Sequence, residues 1–344
     1  MNELQTMLSD TANRLFTDHL QKPVREAAEE GQWPQLLWQA VEENGFGHVL
    51  VSEARGGAGA GWSDAMVLLR ACGTHAVPLP LAETIVAAWL LDQAGLDVPE
   101  GPLTFAQSDL QPDGDSVVCT VPLQAVPFAA QCKHVVAVSP HKDGVRIALF
   151  VDGKSSNEVT TIARDPVADL TYNAPAVSHG IAQLPADTVL QFGAVVRAAG
   201  IAGALQAVLL QAVQYAGDRV QFGRPISQFQ AVQHQLAELA SHAASVGVAV
   251  DAAARAIEAN PRTAGFDIAV AKVRAADAAQ IGASIAHQTH GAIGFTYEHG
   301  LHFWTRRLWS WAPEFGGAAH WAQRLGKEAI KGGGKELWTT IAAR

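Results

Sequence analysis

Charge is scarce in this chain. Only 17% of its 344 residues are Asp, Glu, Lys or Arg, against 49% hydrophobic. Such a composition suits Ala- and Leu-rich helices with extensive buried interfaces, so an oligomer is expected. Basic residues are the scarcer sign, 24 against 33 acidic ones, for a net charge of −9. A nucleic-acid partner needs a basic face to neutralise phosphates and is not expected. A local Arg cluster could still hold one anionic ligand. Cysteine is nearly absent: Cys72, Cys119 and Cys132 lie far apart without C-x-x-C spacing. That pattern offers neither a disulfide framework nor a zinc site, and it points to reducing cytosol. The opening Met1-Asn-Glu-Leu-Gln lacks a basic region followed by an apolar run. No later apolar stretch reads as long enough to cross a bilayer, so a cytoplasmic protein without membrane insertion is expected.

The length favours two or three domains. Residues 1–98 read as an N-terminal helical domain, with one apolar stripe at Leu4, Leu8, Leu15 and Leu20. A second stripe falls at Trp33, Leu36, Leu37 and Val41, and a third at Met66 to Leu69 with Ala87 to Leu91. Turns are expected at Glu30-Gly31, Asn44-Gly45 and Arg55-Gly-Gly-Ala-Gly-Ala-Gly61. The last could pass for a dinucleotide fingerprint, but that needs a preceding strand within a βαβ unit, and the residues before it read as helical.

Residues 99–185 change character. Short β-branched runs (Ser116 to Val121, His134 to Val138, Val145 to Val151) alternate with turns, which reads as a small antiparallel β domain. Asp113-Gly114, Asp143-Gly144 and Asp152-Gly153 are the hairpin signals. Residues 186–344 read as a C-terminal four-helix bundle, with helices over Val189 to Asp218, Ser227 to Asn260 and Phe266 to His290, and a last one after Gly316. The fold class is therefore mainly α with a small β domain.

Two segments carry candidate chemistry. Arg219-Val-Gln-Phe-Gly-Arg-Pro-Ile-Ser-Gln-Phe-Gln-Ala-Val-Gln-His234 breaks the helical pattern and leaves a guanidinium, an amide and an aromatic ring at one corner. Such a corner suits a dinucleotide: the guanidinium pairs with a pyrophosphate and the ring covers an apolar edge. The second is Gln288-Thr-His-Gly-Ala-Ile-Gly-Phe-Thr-Tyr-Glu-His299. His287, His290, His299 and His302 lie nearby, but no Glu-x-x-His pair or Cys accompanies them, so no metal is expected. Trp304, Trp309, Trp311, Trp321 and Trp338 read as core or inter-subunit packing.

Together the two segments resemble the acyl-CoA dehydrogenase family, and looser likeness extends to Ser52-Glu-Ala-Arg-Gly-Gly57 and Pro78-Leu-Pro-Leu-Ala-Glu83. The resemblance implies FAD lying across a protomer contact, with Arg219, Gln221, Phe222, Ile226 and Gln230 lining its pyrophosphate and adenosine. Gln288, Gly291 and Ala292 would complete that part, Ala292 replacing a usual glycine. The implied activity is α,β-dehydrogenation of an acyl-CoA thioester, in which a carboxylate takes the α proton and hydride leaves Cβ for the flavin.

Departures from the pattern cluster around that base. At family spacing the usual Glu-Gly-Thr triplet falls on Phe315-Gly316-Gly317, so Glu314, one residue early, is the candidate base if the loop at Pro313 shifts register. The alternative base position of the first bundle helix is Gly193. Thr104-Phe-Ala-Gln-Ser-Asp109 is a remnant of the flavin-ring segment, and the CoA-binding Arg is replaced by Ala194, with Arg197 one turn along. These features fit one subunit of a homo- or hetero-oligomer in which a fuller partner supplies the base. Shortened chains of this look occur in the family's sterol and aromatic-acid breakdown systems. A non-catalytic structural subunit, or a flavin oxidase or monooxygenase on the same fold, are the alternatives.

Overall fold

The computed structural model describes residues 2–342. Five helices come first: α1 (Glu3–His19), α2 (Lys22–Glu29), α3 (Gln35–Glu43), α4 (Trp62–His75) and α5 (Leu81–Gln93). Helix α1 begins where the Asn2 side chain accepts from Gln5 N and the Gln5 side chain accepts from Asn2 N, a reciprocal cap. The expected stripes face the core at Leu15, Leu20, Leu37 and Val41, but Leu36 is 73% exposed. With α3 starting at Gln35, its buried face runs through Leu37, Trp38 and Val41 instead.

Strands β1 (Leu103–Gln107), β2 (Leu110–Asp113), β3 (Ser116–Cys119), β4 (Leu123–Pro127) and β5 (His134–His141) follow, then β6 (Gly144–Val151), β7 (Lys154–Thr160), β8 (Pro166–Thr171) and β9 (Ser178–Ala182). The region is mixed rather than purely antiparallel. Strand β1 pairs parallel with β5, and the sheet order is β1-β5-β6-β9. Strands β4, β8 and β7 form a second sheet. Two of the three Asp-Gly signals sit at hairpins, β2–β3 and β5–β6. Asp152-Gly153 does not, because the chain there leaves the first sheet at β6 and enters the second at β7. Asp152 (φ 55) supplies the bend rather than a two-residue hairpin loop.

The remaining elements are α6 (Thr188–Asp218), a hairpin of β10 (Val220–Gln221) and β11 (Arg224–Pro225), α7 (Gln230–Ala259), α8 (Gly265–His290), α9 (His302–Trp311), α10 (Ala318–Gly332) and α11 (Gly334–Ala342). Helices α6, α7 and α8 pack mutually, and α10 packs on α8. The short α9, hidden in the sequence among closely spaced aromatics, wedges against α6 and α8. Trp311 and Trp321 are buried as expected of packing residues, whereas Trp338 on α11 is 76% exposed.

Helix α6 is the spine. It is long and apolar enough to cross a membrane, contrary to the expectation that no stretch would be, yet 83% of its apolar window is buried inside the protein. Valine, leucine and alanine raise its mean hydropathy, and neighbouring helices provide the apolar surroundings. Its small residues let α4 approach closely: a Cβ at Gly203 would collide with the Arg70 carbonyl, and one at Gly73 with that of Gly200.

Candidate functional site

The corner between α6 and α7 is a two-residue hairpin. Gln221 pairs with Arg224, and Phe222 (φ 51) and Gly223 (φ 79) form the tip. Positive φ at both tip residues is what a type I′ turn requires, and Gly223 meets it without strain. The turn thrusts Phe222 outward, 92% exposed. Arg219, Gln221 and Gln230 are exposed as well, and Ile226 is half-buried. Arg219 makes no ion pair among the described residues; its carbonyl accepts from Ile226 N at 2.8 Å, closing the elbow. Arg224 lies 4.3 Å from the Phe229 ring centroid, so the second guanidinium of the motif is committed to an aromatic face.

The root of this elbow touches the second segment. Arg219 N donates to Tyr215 O, and the Tyr215 ring stacks on His290 at 4.7 Å, on the last turn of α8. Gln288, Gly291 and Ala292 are exposed at that same end of the bundle. Gly291 (φ 63) has open space where a Cβ would stand, so a ligand can approach its backbone. The four histidines pack on aromatic rings, and two of them on each other: His287 stacks on Phe295 (4.3 Å) and Trp309 (5.5 Å), His302 lies against Tyr297 and Phe303, and His290 meets His299 edge-on. Burial holds His287, His290 and His299 below the ordinary histidine range and pushes His302 down to about 4, disfavouring the charged form of each ring.

A separate groove of about 710 Å³ opens between the β region and the bundle. Phe105 to Asp109, the remnant segment, forms one wall, the stretch from Val121 to Pro127 another, and Val189 and Phe315 close the end. The rings of Phe105 and Phe315 stack at 5.9 Å and 13°. Gly193, one turn on from Val189, receives the Phe315 ring so tightly that any Cβ there would collide with it.

Glu314 faces the interior instead. Its Oε2 accepts from Arg197 Nε at 2.6 Å and its Oε1 from Ser310 Oγ at 2.8 Å. Arg197 also donates through its other arm to Glu83 Oε1 at 2.6 Å. Burial alone would lower the Arg197 pKa, but the flanking carboxylates outweigh it and hold the guanidinium above its ordinary range. Behind this cluster Lys272, fully buried, donates to the carbonyls of Trp311 (2.7 Å) and Ala312 (3.0 Å). It thereby caps the end of α9 and fixes where the Glu314 loop starts. Burial pushes its pKa down to about 7. Nearby, Arg307 bonds Asp165 at 3.3 Å, and burial raises that acid to about 6.

The elbow motif and the second segment were both legible in sequence. The Glu83–Arg197–Glu314 cluster was not, since its members lie 114 and 117 positions apart. A single basic residue in the mostly apolar α6 was the available signal.

The arrangement defines a helix–sheet–helix protein with an exposed, arginine-bearing elbow at one end of its bundle and a groove beside its sheets. Comparison with known sequences gives the class a name. The acyl-CoA dehydrogenase N-terminal domain profile matches residues 2–97, and the C-terminal domain profile matches residues 183–315. IpdE2 of Mycobacterium tuberculosis, an acyl-CoA dehydrogenase, is 30% identical over 325 residues, covering 89% of this chain and 91% of the relative. IpdE2 of Mycolicibacterium smegmatis is 28% identical over 341 residues, covering 96% and 100%. Among solved structures, a variant of the Tcur3481-Tcur3483 steroid ACAD superposes with a TM-score of 0.86 at 28% identity, covering 95% of this chain and 98% of that one. The chain belongs to the acyl-CoA dehydrogenase family.

Proposed function

We propose that this chain is a subunit of an FAD-dependent acyl-CoA dehydrogenase, that it holds the nucleotide end of FAD across a protomer contact, and that the adjoining protomer supplies the base. One observation carries the reading. The residue of the α9–α10 loop that lines the groove is Phe315, while the neighbouring carboxylate, Glu314, is engaged by Arg197 and Ser310.

The residues at the elbow fit the cofactor. Arg219 is an exposed guanidinium free of ion pairs among the described residues, suited to bidentate contact with a pyrophosphate. Phe222 offers an uncovered ring, Gln221, Gln230 and Gln288 offer amides, and the Gly291–Ala292 backbone is open to close approach. Ile226, half-buried, gives the elbow an apolar inner wall. None of these residues lines the groove of the same chain, as expected if the elbow serves a neighbour's groove. FAD, when bound, supplies the hydride acceptor for the α,β-dehydrogenation of an acyl-CoA thioester. Phe105 provides a flat apolar floor, and Glu314 takes part in proton transfer only by giving up a charge-assisted bond to Arg197. The steroid ACAD likeness makes a steroid acyl thioester the first substrate to try.

The chain should purify alone with little flavin absorbance and no turnover, and co-expression with a partner dehydrogenase subunit should restore both. Arg219→Ala should then strip flavin from the assembled pair without unfolding it. Strong flavin absorbance together with turnover by the lone chain would refute the division of labour. Unchanged flavin retention in the Arg219→Ala pair would refute the role of the elbow.

A further inference from the structure

A second large cleft, of about 570 Å³, opens where α1 and α4 meet the bundle helices α6 and α7. Helix α4 is its floor, since α4 packs on α1, α6 and α7 alike and keeps the outer helices apart. Met66 and Ala71 in that floor are buried, and Val67 is half-buried. One wall is a polar stripe of α1. The core face of that helix runs through Ala12, Leu15 and Phe16, whereas Gln5, Ser9 and Asn13, four residues apart, turn uncharged amides and a hydroxyl to the cleft. Asn13 Nδ2 donates to Ser9 Oγ at 3.2 Å, which leaves the Ser9 proton free to donate outward. The opposite wall carries charge. Arg70 Nη2 donates to Asp251 Oδ1 at 2.5 Å and to the Gly247 carbonyl at 2.8 Å, so that carboxylate is paired. Glu258, at the rim, is engaged by Ser63 N (2.6 Å) and Ser63 Oγ (2.9 Å). Arg255 and Gln206 are exposed, and neither side chain bonds any other among the described residues. Two guanidiniums against one carboxylate leave the lining with one surplus positive charge, on a protein of net charge −9.

We propose that this cleft binds a small hydroxyl-rich anion, a sugar phosphate or sugar acid, with its charged group on Arg255 and its hydroxyls on Ser9, Gln5 and Gln206. The guanidinium fork matches a phosphate or a carboxylate bidentately. Free amide and hydroxyl groups around it suit a polyol, which an acyl chain or a bare ion would leave unpaired. The volume falls in the range of about 300–1,000 Å³ common for small-molecule sites. No residue of the elbow or of the groove lines this cleft, so the inference is independent of the cofactor reading. An occupant would bridge α1 to α7 across α4.

The test is calorimetric titration of the full chain at fixed ionic strength with glucose 6-phosphate, gluconate, glucose and inorganic phosphate. Glucose 6-phosphate or gluconate should bind with a Kd below about 1 mM, and whichever binds more tightly tells a phosphate site from a carboxylate site. Glucose and inorganic phosphate each carry half of the recognised chemistry and should bind about tenfold more weakly or worse. Arg255→Gln should weaken the bound sugar anion by about tenfold, and Ser9→Ala by roughly fivefold. Arg262→Gln is the control for diffuse charge: it removes the same charge from an exposed arginine between α7 and α8 that does not line the cleft, and affinity should stay within about twofold. Absence of binding by both sugar anions at about 10 mM would overturn the proposal. So would equal weakening by Arg255→Gln and Arg262→Gln, or glucose or inorganic phosphate bound as tightly as the sugar anions.

Discussion

Replacing Lys272 by Met tests how the loop beneath the groove is held. The ammonium is 0% exposed and donates to two backbone carbonyls, and burial lowers its pKa from 10.5 to about 7. In the unfolded chain the amine stays protonated to its ordinary value. Between the two values the unfolded state therefore binds more protons than the folded one, and stability rises with pH across that window. Below about pH 7 both states are charged and the full cost of burying the ion stands. At 1.36 kcal/mol per unit, the whole excursion is on the order of 5 kcal/mol. Lys272→Met removes that titration and leaves the Trp311 and Ala312 carbonyls without their donor, a loss of roughly 1–3 kcal/mol each. The two effects largely offset each other near pH 6, so the variant should match the wild type there to within about 3 kcal/mol. By about pH 10 the wild type should lead by roughly 4 kcal/mol more than it does at pH 6. Urea unfolding of both proteins across this range measures the gap directly, provided their m-values agree. Taking the difference cancels Cys72, which burial raises to about 12 and whose contribution runs the opposite way at high pH. A gap that stays constant with pH would refute the claim that Lys272 is buried as described.

Other outcomes follow from the same contacts. Arg197→Met should destabilise the fold by about 3–5 kcal/mol in thermal or urea unfolding, because it leaves Glu83 and Glu314 unpaired, the former almost fully buried. Gly203→Ala should cost more than the ordinary gain from removing a helical glycine, and circular dichroism melts should show a net loss, since the methyl collides with the Arg70 backbone of α4. Phe222→Ser should leave the melting temperature within about 1 °C of wild type, as expected for a surface change within ±0.5 kcal/mol, because the ring is 92% exposed and covers nothing in the core. A large drop would mean that the elbow tip supports the fold rather than presenting a surface.

The order of helices, strands and helices was readable because hydrophobic period and turn chemistry are local properties. The Val189 to Asp218 reading and the observed Thr188–Asp218 helix differ by one residue for that reason. The reading of Ser227 as a helix start fell short because Ile226–Gln228 forms a single 3-10 turn before α7 begins at Gln230. Strand partners were less legible. The parallel β1–β5 pairing and the passage between sheets at Asp152 are set by which strands bury against which, and periodicity within one strand does not encode that.

The amino-acid string alone determined that Arg219, Phe222 and Gly223 sit at a break between two long helices, and that a glycine-bearing segment ends the third. These are contiguous motifs, whose geometry follows from backbone preferences within a few residues. Tertiary structure alone decided which side chain of Glu314-Phe315 meets the groove and which meets Arg197. That choice depends on a guanidinium more than a hundred positions away, on a glycine notch in α6 and on a buried ammonium from α8, brought together only when the helices pack.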